Sequence, residues 1–196
     1  MEVHSWAIVH VPQHTVPVGE GPAAFVGVHL SARGHPRYGA GLIMQQALGL
    51  RPSELAGLRG QDVLPEDRAD AASVDYAVVG LGVRAGTKAK RPQSVILRGT
   101  KKVALLRWLR SSCAPSDPLI GYSCEQMRRL LSKTLTELGL EEIGWSPHSP
   151  RAGFASDLVS KGVPFLTVKD LGRWVSEAAA RTYIFHHYSL GETATF

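Results

Sequence analysis

Apolar positions recur at helical intervals along two stretches of the chain. Between residues 38 and 48 they follow the spacing of an α-helix, and Gly49 is suited to end it. Between residues 127 and 138 the i, i+3, i+4, i+7 spacing is clearer still. The members of this second set are Met127, Leu130, Leu131, Thr134, Leu135 and Leu138. Both stretches predict helices with one buried face.

Capping residues give the expected limits of these helices. Ser123, with Gln126 three residues later, resembles a capping box, and Gly139 is a suitable stop. Pro52 suits the first position of a second, short helix after residue 49. In the last third of the chain Ser149 is expected to cap a helix and Pro150 to open it.

That helical region is interrupted twice before the chain ends. Breaks are expected at "KGVP" and at "LGRWVS". After the second break Ser176 can cap a last helix, which carries Tyr183.

The middle of the chain has the pattern of a β-hairpin. The runs "VDYAVVGLGVRA" and "PQSVIL" flank the basic stretch "GTKAK", which predicts strand, turn and strand. A further amphipathic helix is marked by Leu105, Trp108 and Leu109. Residues 1–36 include a stretch rich in Pro, Gly and Val and predict an arm or short strands in preference to a helix. The predicted class is α+β, mostly α, with a small antiparallel sheet.

Composition limits the function classes. The chain has 196 residues, 44% of them hydrophobic, and no window approaches the roughly 18 apolar residues of a membrane helix. The N-terminus lacks the pattern of a secretory signal. Cys113 and Cys124 form no C-x-x-C pattern and suggest a reducing compartment without a zinc site. The net charge of +5 suits a polyanionic partner, although a solvated basic surface also explains it.

His148 and Arg151 lie three residues apart at the expected start of a helix. Unpaired N–H groups and a partial positive charge are already present at a helix N-terminus. A guanidinium and an imidazole added there make an anion site, for which phosphate is the natural occupant. The alternative is an arginine paired with a nearby carboxylate beside an ordinary histidine.

Four other residues extend this pattern, each with a simpler explanation. Arg51 stands in an apolar context and either binds an anion or pairs with Glu54. Lys88 lies in the basic turn, where lysines are usually only solvated. Trp174 is of a type that normally fills a core. Tyr183 has a hydroxyl that becomes a nucleophile only where cations favour the phenolate, as two phosphate-binding arginines would do without a metal.

Taken in order, these motifs resemble the tyrosine recombinases, or phage integrases, from about Tyr38 to Tyr188. "GLRPSELAGLRGQDV" resembles the first arginine box, and "GTKAKRPQSVIL" the hairpin with the catalytic lysine, Lys88 or else Lys90. "HSPRAGFASDLVSKG" resembles the H-x-x-R box. "LGRWVSEAAARTYI" resembles the box that precedes the nucleophile by nine residues.

The resemblance implies a site-specific DNA recombinase that needs no metal, cofactor or ATP. Tyr183 would attack a DNA phosphate to give a 3′-phosphotyrosyl link, and Lys88 would protonate the leaving 5′-oxygen. The phosphate would be bound by Arg51, Arg151, His148 and Trp174. The implied partner is double-stranded DNA, bound by a homo-oligomer inside the cell, in a nucleoid or nucleus, and no membrane is involved.

The sequence departs from the family pattern in three respects. Only residues 1–37 precede the predicted catalytic domain, 38–196, so the family's N-terminal core-binding domain is expected to be absent. Trp174 stands where histidine is commoner. Tyr188 is a rival nucleophile at a different spacing.

Three other functions are consistent with parts of the sequence. One is a DNA-binding remnant of a mobile element without productive recombination. A second is a type IB topoisomerase-like activity, against which the spacing from Trp174 to Tyr183 argues. A metal-dependent hydrolase, suggested by eight histidines, lacks an acidic partner motif.

Overall fold

The computed structural model describes residues 15–64, 75–82 and 93–191, with side chains described as far as residue 184. Eight α-helices and two strands are found in this part of the chain. In chain order they are α1 Glu20–Ala32, α2 Pro36–Leu48, α3 Pro52–Gly57, β1 Tyr76–Gly80, β2 Ser94–Arg98, α4 Thr100–Ser111, α5 Cys124–Glu137, α6 Ser149–Ser160, α7 Phe165–Leu171 and α8 Glu177–Gly191. Short 3-10 turns lie at Gly60–Asp62 and Glu141–Ile143. The predicted α+β class with a small sheet is confirmed.

The sheet is a single antiparallel pair. Tyr76 lies opposite Arg98 and Gly80 opposite Ser94. Val79 and Leu97 point into the core, which fixes the face that the hairpin buries. The basic turn between the strands, with Lys88 and Lys90, lies outside the described residues.

Two apolar clusters form the interior. The larger joins α1–α5 and the sheet, with Leu50, Leu55 and Leu106 among its fully buried members. The smaller joins α6–α8 around Ala155 and Val168. No helix within the described residues is long and apolar enough to span a bilayer.

Helix α1 corrects the expectation of an irregular N-terminal arm. Residues 20–32 are helical, and Val26 and Leu30 are buried in the larger cluster. The backbones of α1 and α2 approach closely, since a Cβ on Gly39 would lie 2.2 Å from the carbonyl oxygen of Gly27. Pro22 sits in the first turn, where its missing N–H removes no helical hydrogen bond. Apolar side chains lie on all faces of this helix, and Phe25 is 59% exposed. Its sequence therefore lacks a clear helical period.

The predicted face of α4 was also partly wrong. Val103, Leu106 and Leu109 are buried, whereas Trp108 is 42% exposed. The buried residues follow a spacing of three, and the large apolar Trp108 lies outside that stripe. Size and hydrophobicity alone therefore misplaced the face.

Helix ends follow the predicted capping chemistry with one exception. Ser123 and Gln126 exchange the two hydrogen bonds of a capping box, and the Ser176 hydroxyl accepts from the Ala179 N–H at 3.2 Å. Ser149, however, is itself the first helical residue, so His148 is the N-cap. The Ser149 hydroxyl instead accepts from the Ser146 N–H at 2.9 Å and ties down the loop before α6.

Polar contacts fasten α6 to α1 and α2. The Asp157 carboxylate accepts from the Gln46 side chain at 2.7 Å and from the Glu20 N–H at 3.1 Å. The Gln45 side chain donates to the Pro147 carbonyl at 2.8 Å. The start of α6 is thereby held beside the end of α2, where the predicted site residues converge.

Gly153 provides a test of the close contact between α6 and the segment before α1. A Cβ there would lie 1.7 Å from the Val18 carbonyl oxygen, so Gly153→Ala should destabilise the fold by about 1–3 kcal/mol, measured by urea unfolding. Gly21→Ala is the matched control, since nothing lies within 4 Å of that Cβ. The control should be neutral or stabilising by about 0.5–1 kcal/mol. Equal stability of both variants would contradict the described packing.

Candidate active site

Arg51 is positioned by the tight turn between α2 and α3. Gly49 ends α2 with φ +58°, a left-handed conformation that glycine adopts without cost, and Arg51 becomes the N-cap of α3. Its guanidinium donates to the Glu54 carboxylate at 2.6 Å and to the Arg173 carbonyl at 3.2 Å. The side chain stays 38% exposed, which leaves part of the guanidinium facing solvent.

Arg151 lies in the first turn of α6 and is buried, with 1% of its surface exposed. Its two terminal nitrogens donate to backbone carbonyls, Nη1 to Gly49 and Nη2 to Gly172 at 2.5 Å. Its guanidinium carbon also lies 4.4 Å from the centre of the Trp174 ring, a cation–π contact. The predicted start of α6 thus brings Arg151 beside Arg51.

Glu54 is the carboxylate that links this group. It is 6% exposed and accepts from the Arg51 N–H at 2.7 Å as well as from the Arg51 side chain. It also accepts from the Arg173 guanidinium at 2.7 Å. The ion pair between Arg51 and Glu54 considered from sequence is therefore present, and it forms part of a larger cluster.

Trp174 and Tyr183 pack against each other next to Arg151. Trp174 is 6% exposed, and its ring centre lies 5.4 Å from that of Tyr183. Ala180 and Ile184 bury one face of α8 in the smaller cluster and so hold Tyr183, half-buried, next to the indole. The Trp174 Nε1–H is buried and has no hydrogen-bond partner among the described residues.

The model of the phage integrase family matches residues 35–189. The chain belongs to the phage integrase family. No curated protein sequence matches it significantly. The family model begins after α1, which nevertheless packs against the integrase core.

Several solved integrase-type structures share this fold. A XerH site-specific recombinase bound to palindromic difH substrate gives a TM-score of 0.67 at 17% identity, over 93% of this chain and 53% of that one. XerA recombinase gives 0.62 at 18% identity, over 94% and 68%. The Tn1549 transposon integrase in complex with transposon right end DNA gives 0.65 at 9% identity, over 96% and 69%. This chain spans about half of the XerH chain.

Arg173 is the site residue that the sequence analysis missed. It has φ +57°, a left-handed conformation that costs a non-glycine residue about 1–2 kcal/mol. Its guanidinium, 7% exposed, donates to Glu54 and to the carbonyl oxygens of Leu48 and Gly49 at 3.4 and 3.2 Å. The available signal was a charged residue in the apolar context "LGRW", the same signal that singled out Arg51.

Gly172 allows Trp174 to pack where it does. A Cβ on Gly172 would lie 1.5 Å from the Trp174 ring. The missing side chain therefore lets the indole fold back over the end of α7, close to the Arg151 guanidinium.

The candidate site carries more positive than negative charge among the described residues. Burial lowers the pKa of Arg151 to about 9, with further lowering by Arg51 and Arg173. Burial also lowers the pKa of Arg173, against the opposing effect of Glu54. Burial alone would raise the pKa of Glu54, but Arg173 and Arg51 outweigh it and lower that pKa. Three guanidiniums, from Arg51, Arg151 and Arg173, thus share this region with the single carboxylate of Glu54, which leaves a local excess of cationic charge.

His148 lies at the rim of this cluster, at the N-cap of α6. Partial desolvation, followed by the charges of Arg151 and Arg51, lowers the pKa of its imidazole. A neutral imidazole can both donate and accept a proton at pH 7. His148 is therefore suited to hydrogen-bond a bound anion without adding to the charge.

Lys88 lies outside the described residues, as does the side chain of Tyr188. Their predicted roles, as general acid and as rival nucleophile, stay predictions. The structure brings together the other five residues, Arg51, His148, Arg151, Trp174 and Tyr183. No group of three or more His, Cys, Asp or Glu residues suited to a metal ion occurs in the described part of the chain.

The pKa of His148 gives a direct test of the cationic site. The midpoint of its NMR titration, assigned by comparison with His148→Asn, should lie below the ordinary pKa of about 6.5. Arg51→Gln should raise that midpoint, because a neighbouring positive charge is removed. Since the folded state then binds fewer protons than the unfolded state, this group's contribution to stability should decrease as the pH falls from the ordinary value through the lowered one. A titration at or above the ordinary value would contradict the arrangement.

Proposed function

We propose that this chain is a site-specific DNA recombinase that cleaves and rejoins strands through a 3′-phosphotyrosyl intermediate. The observation that carries the proposal is one connected group: Arg51 and Arg173 share the Glu54 carboxylate, Arg51 and Arg151 donate to adjacent loop carbonyls, and Trp174 contacts both Arg151 and Tyr183. Membership of the phage integrase family supports it.

The local charge suits a phosphodiester. Arg51 presents a partly exposed planar guanidinium, the group that best matches two phosphate oxygens. Arg151 is deeper and its terminal nitrogens are committed to carbonyls, so it contributes mainly charge and shape until an anion is bound. The buried Trp174 Nε1–H, which has no partner in the part of the chain that the structure describes, is a further donor for a phosphate oxygen. Burial strengthens each of these interactions relative to water.

The proposed reaction uses these residues together with Lys88. The Tyr183 phenol gives its proton to the neutral imidazole of His148 or to water, and its oxygen forms a bond to the phosphorus of one strand. The bond from phosphorus to the 5′-oxygen breaks, and Lys88, as predicted from sequence, gives that oxygen a proton. Arg51, Arg151, His148 and Trp174 stabilise the charge that develops on the non-bridging oxygens. Attack by a 5′-hydroxyl of another strand reverses the step and releases Tyr183.

The remaining features of this proposal rest on family membership. The partner is double-stranded DNA, bound by a homo-oligomer and contacted mainly through phosphates, so affinity should fall steeply with salt. The location is inside the cell, on DNA. We assign the catalytic domain to residues 38–196, although the assigned boundary falls within α2 and α1 packs against the same core.

Covalent trapping tests the proposed chemistry. A library of nicked suicide duplexes with randomised sites is incubated with the protein, and adducts that survive denaturation are recovered and sequenced. Wild type should form a phosphotyrosyl adduct, and Tyr183→Phe should form none while binding DNA normally, since only the nucleophilic oxygen is lost.

The matched control for this experiment is Tyr188→Phe, which should retain the adduct. Adduct formation by Tyr183→Phe, with its loss in Tyr188→Phe, would assign the nucleophile to the later tyrosine. Salt-sensitive DNA binding by wild type without any adduct would favour the DNA-binding remnant.

Lysine substitutions separate the roles of the two arginines. Arg51→Lys loses a planar two-point donor at a partly exposed position, so cleavage should fall by about 100-fold while DNA affinity changes by less than about threefold. Arg151→Lys should in addition lower stability by about 1–3 kcal/mol, because a buried carbonyl loses its donor. Single-turnover cleavage, DNA titration and urea unfolding measure the three effects. Equal losses of cleavage and affinity in Arg51→Lys would make Arg51 a DNA anchor only.

A further inference from the structure

Two consecutive peptide carbonyls hold both of the site arginines. The Gly172 carbonyl accepts from Arg151 at 2.5 Å, and the Arg173 carbonyl accepts from Arg51 at 3.2 Å. Both belong to the loop between α7, which ends at Leu171, and α8, which begins at Glu177. The positions of the two guanidiniums therefore depend on the path of this loop.

The side chain of Arg173 fixes that path. It turns back from the loop across the site and donates to the Glu54 carboxylate at 2.7 Å. It reaches the carbonyls of Leu48 and Gly49 as well, at the end of α2. The backbone at Arg173 is left-handed, a conformation that only favourable contacts keep in a non-glycine residue. These contacts join the loop to the turn between α2 and α3, which carries Arg51.

We propose that Arg173 is a positioning residue for phosphate binding and cleavage: its guanidinium locks the loop of residues 172–173 against Glu54 and the end of α2, so that the loop carbonyls hold Arg51 and Arg151 in place. This inference rests on the proposed function. Arg173 is 7% exposed and its terminal nitrogens face protein acceptors, so it acts through the other arginines.

Two substitutions separate the side chain from the backbone. Arg173→Gly removes the guanidinium and relieves the left-handed backbone, since glycine adopts a positive φ freely. Arg173→Lys keeps the charge but replaces a fork that reaches three acceptors with a single ammonium. Arg33→Ala is the control for the loss of an exposed arginine, because Arg33 lies at the end of α1 and pairs with Glu137.

Inorganic phosphate is the first probe, because it needs no particular DNA sequence. Phosphate that binds the folded site raises the melting temperature, and at a fixed phosphate concentration the rise is larger for tighter binding. Wild type and Arg33→Ala should show this rise, and Arg173→Gly should lose most of it. Arg173→Lys should retain part, as expected of a conservative variant at a positioning residue.

Single-turnover cleavage is the second measurement. Arg173→Gly should lower the maximal rate of adduct formation by about tenfold or more, with the half-saturating DNA concentration changed by less than about threefold. A role in global stability alone predicts no change of rate below the melting transition.

The pH profile is the third measurement and reports the route through Glu54. Arg51, from the N-cap of α3, Arg151, from α6, and Arg173, from the loop before α8, carry the charges that act on this carboxylate. Removing Arg173 should raise the pKa of Glu54, so the loss of activity at acid pH should begin at a higher pH in Arg173→Gly than in wild type. In Glu54→Gln, Arg173→Gly should leave the acid limb where it is.

The outcomes separate this inference from the proposed function. Loss of the phosphate effect in Arg173→Gly supports it even if wild type forms no DNA adduct, a result that would overturn only the cleavage proposal. If wild type cleaves DNA and Arg173→Gly matches it in rate and in phosphate response, the inference is wrong. If phosphate stabilises neither wild type nor the variant, the arginines form no anion site and the inference is likewise overturned.

Discussion

The site depends on the hydrogen bonds that the buried guanidinium of Arg151 donates to two backbone carbonyls. A charged group with 1% of its surface exposed is tolerated only when its hydrogen-bonding groups are matched. Its acceptors are the carbonyls of Gly49 and Gly172, at the ends of α2 and α7. Both ends exist because glycine permits them: Gly49 takes a left-handed φ, and Gly172 leaves room for Trp174. The Arg151 guanidinium therefore links the end of α2 to the end of α7, and these helices belong to the larger and the smaller apolar cluster. A shift of either helix end would leave the guanidinium without one of its acceptors.

Glu54 is the buried anionic group that balances part of this positive charge. It is the carboxylate shared by Arg51 and Arg173, and breaking such a buried pair costs about 3–5 kcal/mol because an unpaired charge is left behind. Its two oxygens face guanidiniums from residues that are 122 positions apart in the sequence. The arrangement favours specificity of geometry over stability, since apolar residues of similar volume would stabilise the fold as well.

The sequence predicted elements whose local chemistry is self-contained. The capping box of Ser123 needs only neighbours within one turn, and the period of α5 needs only one apolar neighbour face. Helix α1 escaped prediction because it buries one side through Val26 while leaving Phe25 exposed, which removes the amphipathic period. The cap of α6 was misassigned because Ser149 satisfies the loop before it, a tertiary choice that no local rule specifies.

The site residues show the same distinction between features set by local sequence and features set by tertiary contacts. Residue types at familiar spacings indicated Arg51, His148, Arg151, Trp174 and Tyr183, because the chemistry itself dictates those types. The spacing said nothing about Arg173. Its contacts, with Glu54 and with the carbonyls of Leu48 and Gly49, lie more than a hundred residues earlier in the sequence and depend on a left-handed φ at the arginine itself.

The guanidiniums of Arg51, Arg151 and Arg173 repel one another in this cluster. Arg51 lowers the pKa of both Arg151 and Arg173, which means that each guanidinium disfavours the charge of the next. The fold maintains that repulsion through Glu54 and a few carbonyls, and it keeps His148 neutral at the rim. A phosphodiester would relieve the repulsion, and the extra negative charge of a transition state would relieve it further. Under the proposed chemistry, this excess of positive charge would favour the transition state, which carries the additional negative charge, over the ground state.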